Sequence, residues 1–554
     1  MKGHHVNASI WLDGADWDEP TLRWAQRAGL EPAATAAAAH VRVAVRRDDS
    51  ALQPPRSWTP SASQLAQRHR VEQTPGAPSD IVVTVAGNAG IRPGLNTVQR
   101  GLQYGVWPTS AVQFPRFAIR GVIEGFYGPP WSHEERLDMV DFLADHDFTL
   151  FVLAPKDDAS QRSDWRSLLD DDAKRRLSQI VDRARGTGIE IACCVSPGLS
   201  IRYSDADDVD RLVARFEQFI QLGVRRLGLL LDDIPSELQH VEDEAAFDSL
   251  ASAHAWLSSE VAQRLWSCDA HVDLMVCPLV YHGNGDEPYV VELGHSLHPR
   301  IDLFWTGREI CSRRLELLDA ATFSRSTWRP PLYWDNYPVN DVAMVAELHI
   351  GPLLGRDPHL YRMSAGLVAN AMDRAEASKI PLVTIGDYLR DPEGYDPDAS
   401  WQRAMVEVAG PNDHEAYARF AETVLVSCLS DGDAPTLSRV LGEVGFALGE
   451  GDSVTACRLL REHAAEIDAT AQWLQRPDVD NLRLQQQSAP WVATYARGAE
   501  ALRVAASVIE GAAEPSALEP FRHSRAPKVF GDSLAMFSDD LVEASGGDGA
   551  DQLT

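Results

Sequence analysis

The segment LGLLLDDI, residues 227–234, runs apolar for five positions and then presents two adjacent carboxylates, Asp232 and Asp233. An apolar run this short reads as a buried strand. Burying an unpaired carboxylate costs several kcal/mol, so the two acids are not packing residues. They open into a pocket at the mouth of a sheet. Working outward, the same order of apolar run and then polar or aromatic cluster recurs at FAIRGVIE (117–124), FTLFVLAP (148–155), IEIACCVSP (189–197), HVDLMVCP (271–278), RIDLFWTG (300–307), PPLYWDN (330–336) and LYRMSAGLVAN (360–370). With RRLGLLLDD (225–233) these make eight strand-like runs.

Helical periodicity fills most of the gaps. In HEERLDMVDFLADHD (133–147), Leu137, Val140, Phe142 and Leu143 form an apolar stripe. DDVDRLVARFEQFIQLG (207–223) closes on Gly223 as a C-terminal cap, and a long helical pattern covers the region near 243–266. Eight strands alternating with helices match the roughly 250 residues of a (β/α)₈ barrel. An open doubly wound sheet needs a glycine-rich phosphate turn after an early strand. GVIEGFYG lacks the G-x-G-x-x-G spacing. The fold class is therefore α/β, with a (β/α)₈ TIM barrel over 116–395.

A small α+β domain is expected over 1–115, with strands at HVRVAVRR (40–47) and DIVVTVAG (80–87) and a helix at TVQRGLQYGVW (97–107). Residues 50–79, rich in Pro, Ser, Ala and Gln, separate the two strands, and AATAAAA (33–39) reads as helix or loop. A helical bundle is expected over 396–554, from WQRAMVEVAG (401–410), YARFAETVLVSCL (417–429), SVTACRLLREHAAEIDATAQWLQ (453–475) and APWVATYARGAEALRVAASVIEGA (489–512). The tail 541–554 is expected to fray.

Composition narrows the function. The 554 residues carry a net charge of −30 from 81 acidic and 51 basic residues. Such a field repels phosphate backbones, which argues against nucleic acid as a partner. The N-terminus lacks a signal-peptide pattern and no run of eighteen apolar residues occurs, so no membrane span is expected. Seven cysteines without a C-x-x-C motif read as free thiols, buried at Cys193, Cys194 and Cys277, in a cytoplasmic protein without a zinc site. No metal or organic cofactor is expected.

Function in a barrel gathers where the strands end. Those ends supply Glu124, Gly125 and Tyr127; Lys156, Asp157 and Asp158; Asp232 and Asp233; Tyr281; Trp305 and Thr306; Trp334, Asp335, Asn336, Asn340 and Asp341; and Asn370. Aromatic faces stack on sugar rings while carboxylates and amides hold hydroxyls, so the set reads as a carbohydrate pocket. Each member has a structural alternative. The Asp pair could cap a helix before Pro235 and Glu237, and Lys156 could pair with Asp157 or Asp158. Trp305 and Trp334 could plug the barrel, and Asn336 and Asn370 could cap loops. Glu124 reads as structural, buried against Arg120 or Lys156. Ordinary glycoside cleavage places two carboxyls across the bond, about 5–5.5 Å apart for retention and about 6.5–9.5 Å for inversion. Adjacent strand residues point to opposite faces, so Asp232 and Asp233 fit that scheme poorly. They fit a scheme in which one acid protonates and the other grips an attacking 2-acetamido group.

RGVIEGFYGPPWS (120–132), FVLAPKDD (151–158), CVSPG (194–198), LLLDDI (229–234), LFWTG (303–307), WDNYPVND (334–341) and LVANAM (367–372) together resemble glycoside hydrolase family 84. Its members are retaining β-N-acetylglucosaminidases, including protein O-GlcNAcases and bacterial enzymes labelled hyaluronidases. The resemblance covers about residues 117–400. It implies that Asp232 orients the acetamido nitrogen and that Asp233 is the acid and then the base. It implies that Asp341 holds the sugar's 4- and 6-hydroxyls. Lys156, Asn370 and the backbone near Gly125 hold other hydroxyls or the acetamido oxygen. Tyr281 bonds near the acetamido group, Trp334 walls its methyl pocket, and Asn336 fixes the acetamido group or the acid. Asp232 is expected to stay ionised, and its charge is expected to favour the protonated form of Asp233.

The chain departs from the family pattern at Leu279 and Val280, where many relatives carry threonine and glutamate, and at Pro129, where many carry arginine. The expected function is a retaining exo-β-N-acetylglucosaminidase acting through an oxazoline, on GlcNAc conjugates or O-GlcNAc-modified protein, with a β-linked N-acetylglucosamine as its partner. The alternative is a catalytically silent N-acetylglucosamine-binding protein on the same fold. A monomer and a homodimer are both compatible with the sequence.

Overall fold

The computed structural model describes residues 8–53, 60–107, 112–432, 434–522 and 527–546. These divide between two compact units. The first comprises Met1–Tyr337, Gly355–Ala375 and Ile385–Asp396, and the second Pro338–Leu354, Glu376–Thr384 and Pro397–Thr554.

The first unit opens with a five-stranded sheet of β1 (Ala8–Asp13), β2 (Leu30–Pro32), β3 (Val41–Arg47), β4 (His69–Thr74) and β5 (Ala77–Val85), in the order β2-β1-β3-β5-β4. The expected strands are β3 and β5, and the expected helix is Ile91–Tyr104. The structure adds β1, β2 and β4. Strand β4 lies within the segment that composition marked as a connector. It pairs antiparallel with β5 across a turn at Gly76, whose φ of +79° suits glycine. AATAAAA holds only a short 3₁₀ turn, Ala36–Ala38. Arginines join this sheet's helices to the barrel: Arg27 Nε donates to Asp145 at 2.6 Å, and Arg100 Nη1 donates to Asp147 at 3.0 Å.

The barrel strands are β6 (Ile119–Glu124), β7 (Leu150–Leu153), β8 (Glu190–Val195), β9 (Arg226–Leu230), β10 (Asp273–Cys277), β11 (Asp302–Trp305), β12 (Leu332–Asp335) and β13 (Gly366–Asn370). They close in sequence order, every pair parallel, with β13 against β6. All eight expected strands are present. Between them the helices start where the chain offers caps. Ser132 and Glu135 form a capping box for His133–Asp145, whose buried face is Met139, Val140, Phe142 and Leu143. Asp205 caps Ala206–Gln221, and Gly223 follows its end at φ +97°.

Side chains of alternating parity fill the interior: Ile123, Val152, Cys194, Leu230, Met275, Phe304, Leu332, Trp334 and Val368. At the start of the strands, Arg226 bonds Glu190 at 2.8 Å, Asp273 at 3.1 Å and Asp302 at 3.2 Å. One cation thus gathers the first residues of β8, β10 and β11. All seven cysteines are free, and Cys193, Cys194, Cys277 and Cys457 are buried.

The second unit is helical: Pro397–Ala409, His414–Ala421, Pro435–Gly449, Ser453–Leu474, Leu482–Ile509 and Ser533–Gly546. Pro435–Gly449 and Ser533–Gly546 were not expected. The helix expected over 417–429 stops at Ala421 and tightens into a 3₁₀ turn, Glu422–Val424. The helix expected from residue 489 begins at Leu482, because Asn481 caps it (Leu484 N–H to Oδ1, 3.1 Å) and it runs on through Pro490. The tail expected to fray begins inside the helix Ser533–Gly546, and residues 547–554 lie outside the described ones.

Gly366 faces Ile119 across β13 and β6. A Cβ there would lie 2.4 Å from Ile119 Cβ and 2.5 Å from its carbonyl oxygen. Gly366→Ala should therefore destabilise the protein by about 1–3 kcal/mol as an overpacking change. A denaturant midpoint equal to wild type would refute this close fit.

Candidate functional site

The column Gly228, Leu230, Asp232 follows the inward parity of β9. It places Asp232 inside the barrel mouth, 5% exposed. Its Oδ2 accepts from Lys156 Nζ, itself 4% exposed, at the end of β7. Lys156 does not pair with Asp157 or Asp158, the neighbours that sequence proximity offered. Asp157 instead accepts from the Gly128 N–H at 2.9 Å, and Asp158 from the Ser160 N–H at 2.8 Å. Burial pulls the Lys156 ammonium down most, but the charge and hydrogen bond of Asp232 together with the charge of Asp233 hold it above its usual value. Asp232 Oδ1 is buried and takes no hydrogen bond from any described residue. Beneath lie Cys194 and Cys277, whose thiols burial pushes far up, so they stay neutral.

Asp233 sits differently. Strand parity would turn it out of the barrel, but its φ of +51° ends the strand in a left-handed turn, a conformation that Asp adopts more readily than most residues. Its carboxylate is exposed and accepts from two phenols: Tyr127 at Oδ2 (2.8 Å) and Tyr281 at Oδ1 (3.1 Å). Burial first, and then the charge of Asp233, push the Tyr281 hydroxyl above its ordinary range, so it remains a donor.

A third group lies on the neighbouring strands. Trp334 is buried, with Lys156 Nζ 5.6 Å from its ring centroid. Its Nε1 donates to Asn336 Oδ1 at 2.9 Å, and Asn370 Nδ2 donates to the same oxygen at 3.0 Å. Asn336 Nδ2 holds the Ile310 carbonyl at 2.8 Å. Asn370 Oδ1 takes the Gly125 N–H at 3.2 Å. Only glycine fits at 125, since a Cβ would approach Trp334 Cζ2 to 2.6 Å. Gly125, Lys156, Asp232, Asp233, Tyr281, Trp334, Asn336 and Asn370 are thus joined through direct contacts. Asp341 falls in the second unit, on the segment Pro338–Leu354, with Asn340.

Several strand-end residues have other work. Trp305 has the outward parity of β11 and stacks on Phe323 of the helix Leu317–Thr327 at 4.9 Å. Asp335 is buried in a two-pronged bond with Arg356 (2.9 and 2.5 Å). Glu124 is structural as expected, but its partner is Arg136 (2.7 and 2.8 Å), not Arg120 or Lys156. Arg120 is taken up by the Asp147 and Phe117 carbonyls and Gln67. Sequence reading missed Arg162, which bonds both Tyr127 and Asp233. Its only sequence signal is its place in the loop after β7.

The family model for beta-N-acetylglucosaminidase (NAGidase) matches residues 120–422, more than half of the chain. The chain belongs to this family. The assignment agrees with the resemblance to glycoside hydrolase family 84. Among relatives, protein O-GlcNAcase of Rattus norvegicus is 30% identical over 288 residues, which is 51% of this chain and 31% of that protein. The chain therefore matches about a third of that relative's length. An O-GlcNAc hydrolase mutant from Thermobaculum terrenum is 31% identical, with a TM-score of 0.75 over 78% of this chain and 95% of that one. The solved structure of CpGH84B, 19% identical, has the same fold with a TM-score of 0.76 over 98% of this chain and 97% of that one. No described helix of this family member is long and apolar enough to cross a membrane.

A buried chain supports the strand-end segment that carries Tyr281. The Leu279 N–H donates to Tyr289 Oη at 3.1 Å, His254 Nδ1 lies 2.6 Å from that oxygen, and His254 Nε2 lies 2.8 Å from Tyr203 Oη. Burial pushes His254 from 6.5 down to about 3. The unfolded chain takes up this proton and the folded one does not. The stabilisation is therefore complete above about pH 6.5 and falls as pH drops toward 3, by up to ~1.4 kcal/mol per pH unit. Denaturant midpoints measured from pH 7 to pH 5 should fall less steeply in His254→Gln than in wild type. Equal slopes would mean that His254 titrates normally in the fold.

Proposed function

We propose that the protein is a retaining exo-β-N-acetylglucosaminidase that uses the substrate's own acetamido group as nucleophile. One observation carries this reading. Asp232 is buried, held by Lys156 on one oxygen, and its other oxygen takes no hydrogen bond from any described residue. A buried acceptor of this kind calls for a donor. The N–H of a 2-acetamido group is such a donor, and it gains positive charge as its carbonyl oxygen attacks C1. An ionised Asp232 would stabilise that charge in a site with little water.

In the first step the acetamido oxygen forms a bond to C1 while the bond from C1 to the aglycone oxygen breaks. Asp233 gives the leaving oxygen its proton. In the second step a water attacks C1, Asp233 takes the water's proton, and the oxazoline opens with net retention. The exposure of Asp233 suits contact with a leaving group and with water. Its two phenol donors suit the carboxylate form that the second step requires. Tyr281, a donor to Asp233, would also bond near the acetamido or oxazoline group. Trp334 would wall the methyl pocket, with Asn336 fixing its indole. Asn370, Lys156 and the backbone at Gly125 would hold hydroxyls or the acetamido oxygen. The role of Asp341 toward the 4- and 6-hydroxyls rests on the family resemblance. Small GlcNAc conjugates and O-GlcNAc-modified proteins are the proposed substrates. A cytoplasmic setting accords with the seven free cysteines.

Hydrolysis of an aryl β-N-acetylglucosaminide tests the proposal. Wild type should turn it over, and Asp232→Ala and Asp233→Ala should each lose about 10²–10⁴ in rate. The loss in Asp233→Ala should shrink with a dinitrophenyl leaving group, which needs little protonation. Binding of N-acetylglucosamine analogues without any turnover would establish the silent binding protein instead.

A further inference from the structure

We propose that Arg162 is a positioning residue for the acid–base carboxylate Asp233, acting through the Tyr127 hydroxyl and the Asp233 backbone. The inference rests on the acetamido-assisted reading above and adds to it a residue outside the family's strand-end motifs.

Arg162 lies in the loop between β7 and the helix Asp171–Ala184. Its Nη1 donates to Tyr127 Oη at 2.8 Å and its Nη2 to the Asp233 carbonyl oxygen at 3.1 Å. The guanidinium carbon stands 5.5 Å from the Tyr127 ring centroid. A guanidinium has donors only. The Tyr127 oxygen must therefore accept from Arg162, which directs its single proton at Asp233 Oδ2, 2.8 Å away. The polarity of this relay is set by chemistry: Arg162 to Tyr127 to Asp233.

The second prong acts on the backbone. Asp233 holds a left-handed φ of +51°, a conformation that a non-glycine residue keeps only where its surroundings fix it. The bond from Nη2 to the Asp233 carbonyl is such a fixture. It pins the peptide on the far side of the kink, while Tyr127 and Tyr281 pin the carboxylate. Other charged groups beside this carboxylate are Asp232 and its partner Lys156. Arg162 is thus one fork that sets both where Asp233 points and the hydrogen bond it accepts from Tyr127. Removing the fork frees the turn to relax to negative φ, which carries the carboxylate off the leaving group.

Such a role has a signature that a simple loop staple lacks. In kcat/KM, which reports the step that expels the aglycone, misplacing the acid hurts most the substrates that need a proton on departure. Wild type is first assayed on dinitrophenyl and on unactivated phenyl β-N-acetylglucosaminide. In Arg162→Met, kcat/KM should fall about 10²-fold on the phenyl glycoside and less than about 10-fold on the dinitrophenyl one. Arg162→Lys, which keeps one charge but not the fork, should recover part of the loss. Tyr127→Phe should show the same leaving-group bias, and the double variant Tyr127→Phe with Arg162→Met should lose less than the two single losses multiplied. Equal losses on both aglycones, or strict additivity, would overturn the proposal. If Arg162→Met does not fold, Tyr127→Phe decides by the same comparison. A wild type that hydrolyses neither glycoside would overturn the acetamido-assisted reading itself, and this inference with it.

Discussion

The ion pair between Lys156 and Asp232 is the constraint around which the site is built. Each side chain is almost wholly buried, and either alone would have to shed its charge or draw in water. Together they form an ion pair inside a barrel whose nearby thiols, Cys194 and Cys277, are neutral. The pair depends on the curvature of the sheet. Lys156 comes from the end of β7 and Asp232 from the end of β9, with β8 between them. The inward curve of the barrel sheet brings these two strand ends to one point.

The two neighbouring acids then differ in environment. Asp232 is buried, paired and fixed by strand parity. Asp233 is exposed, kinked out of the strand and held by phenols. One residue of separation gives two unlike settings because the left-handed turn at Asp233 breaks the alternation that Asp232 obeys. That is how adjacent residues, which a regular strand would point to opposite faces, both lie at the barrel mouth.

The rest of the mouth is fitted by close contact. Gly125 lets Trp334 approach, and Trp334 and Asn370 share the oxygen of Asn336. Glu124 and Asp335, although acidic and at strand ends, are satisfied by Arg136 and Arg356 and so act as braces. In the second unit, Glu347 bridges Lys528 at 2.7 Å and His349 at 2.7 Å, while the Asn340 amide donates to the Glu347 carbonyl at 2.7 Å. The segment that carries Asp341 is thereby packed as part of the helical unit.

The barrel and most of its mouth were legible in the sequence, because short apolar runs ending in polar clusters leave few alternatives to parallel strands with a functional end. Asp232, Asp233, Lys156, Trp334 and Asn370 were named from that pattern alone. Which face each occupied was not legible, since strands of a covered parallel barrel are apolar on both sides and their alternation is weak. Hence Trp305 and Trp334 read alike, although one packs outward on Phe323 and the other lines the interior. Partners distant in sequence were also hidden. Lys156 meets a residue 76 positions away, and Arg162 reaches Tyr127 across 35 positions and Asp233 across 71. Local sequence set the strands, the caps and the chemistry available. Tertiary structure alone decided which charges met, because pairing follows from the curvature of the barrel sheet and from one backbone turn that no side-chain pattern encodes.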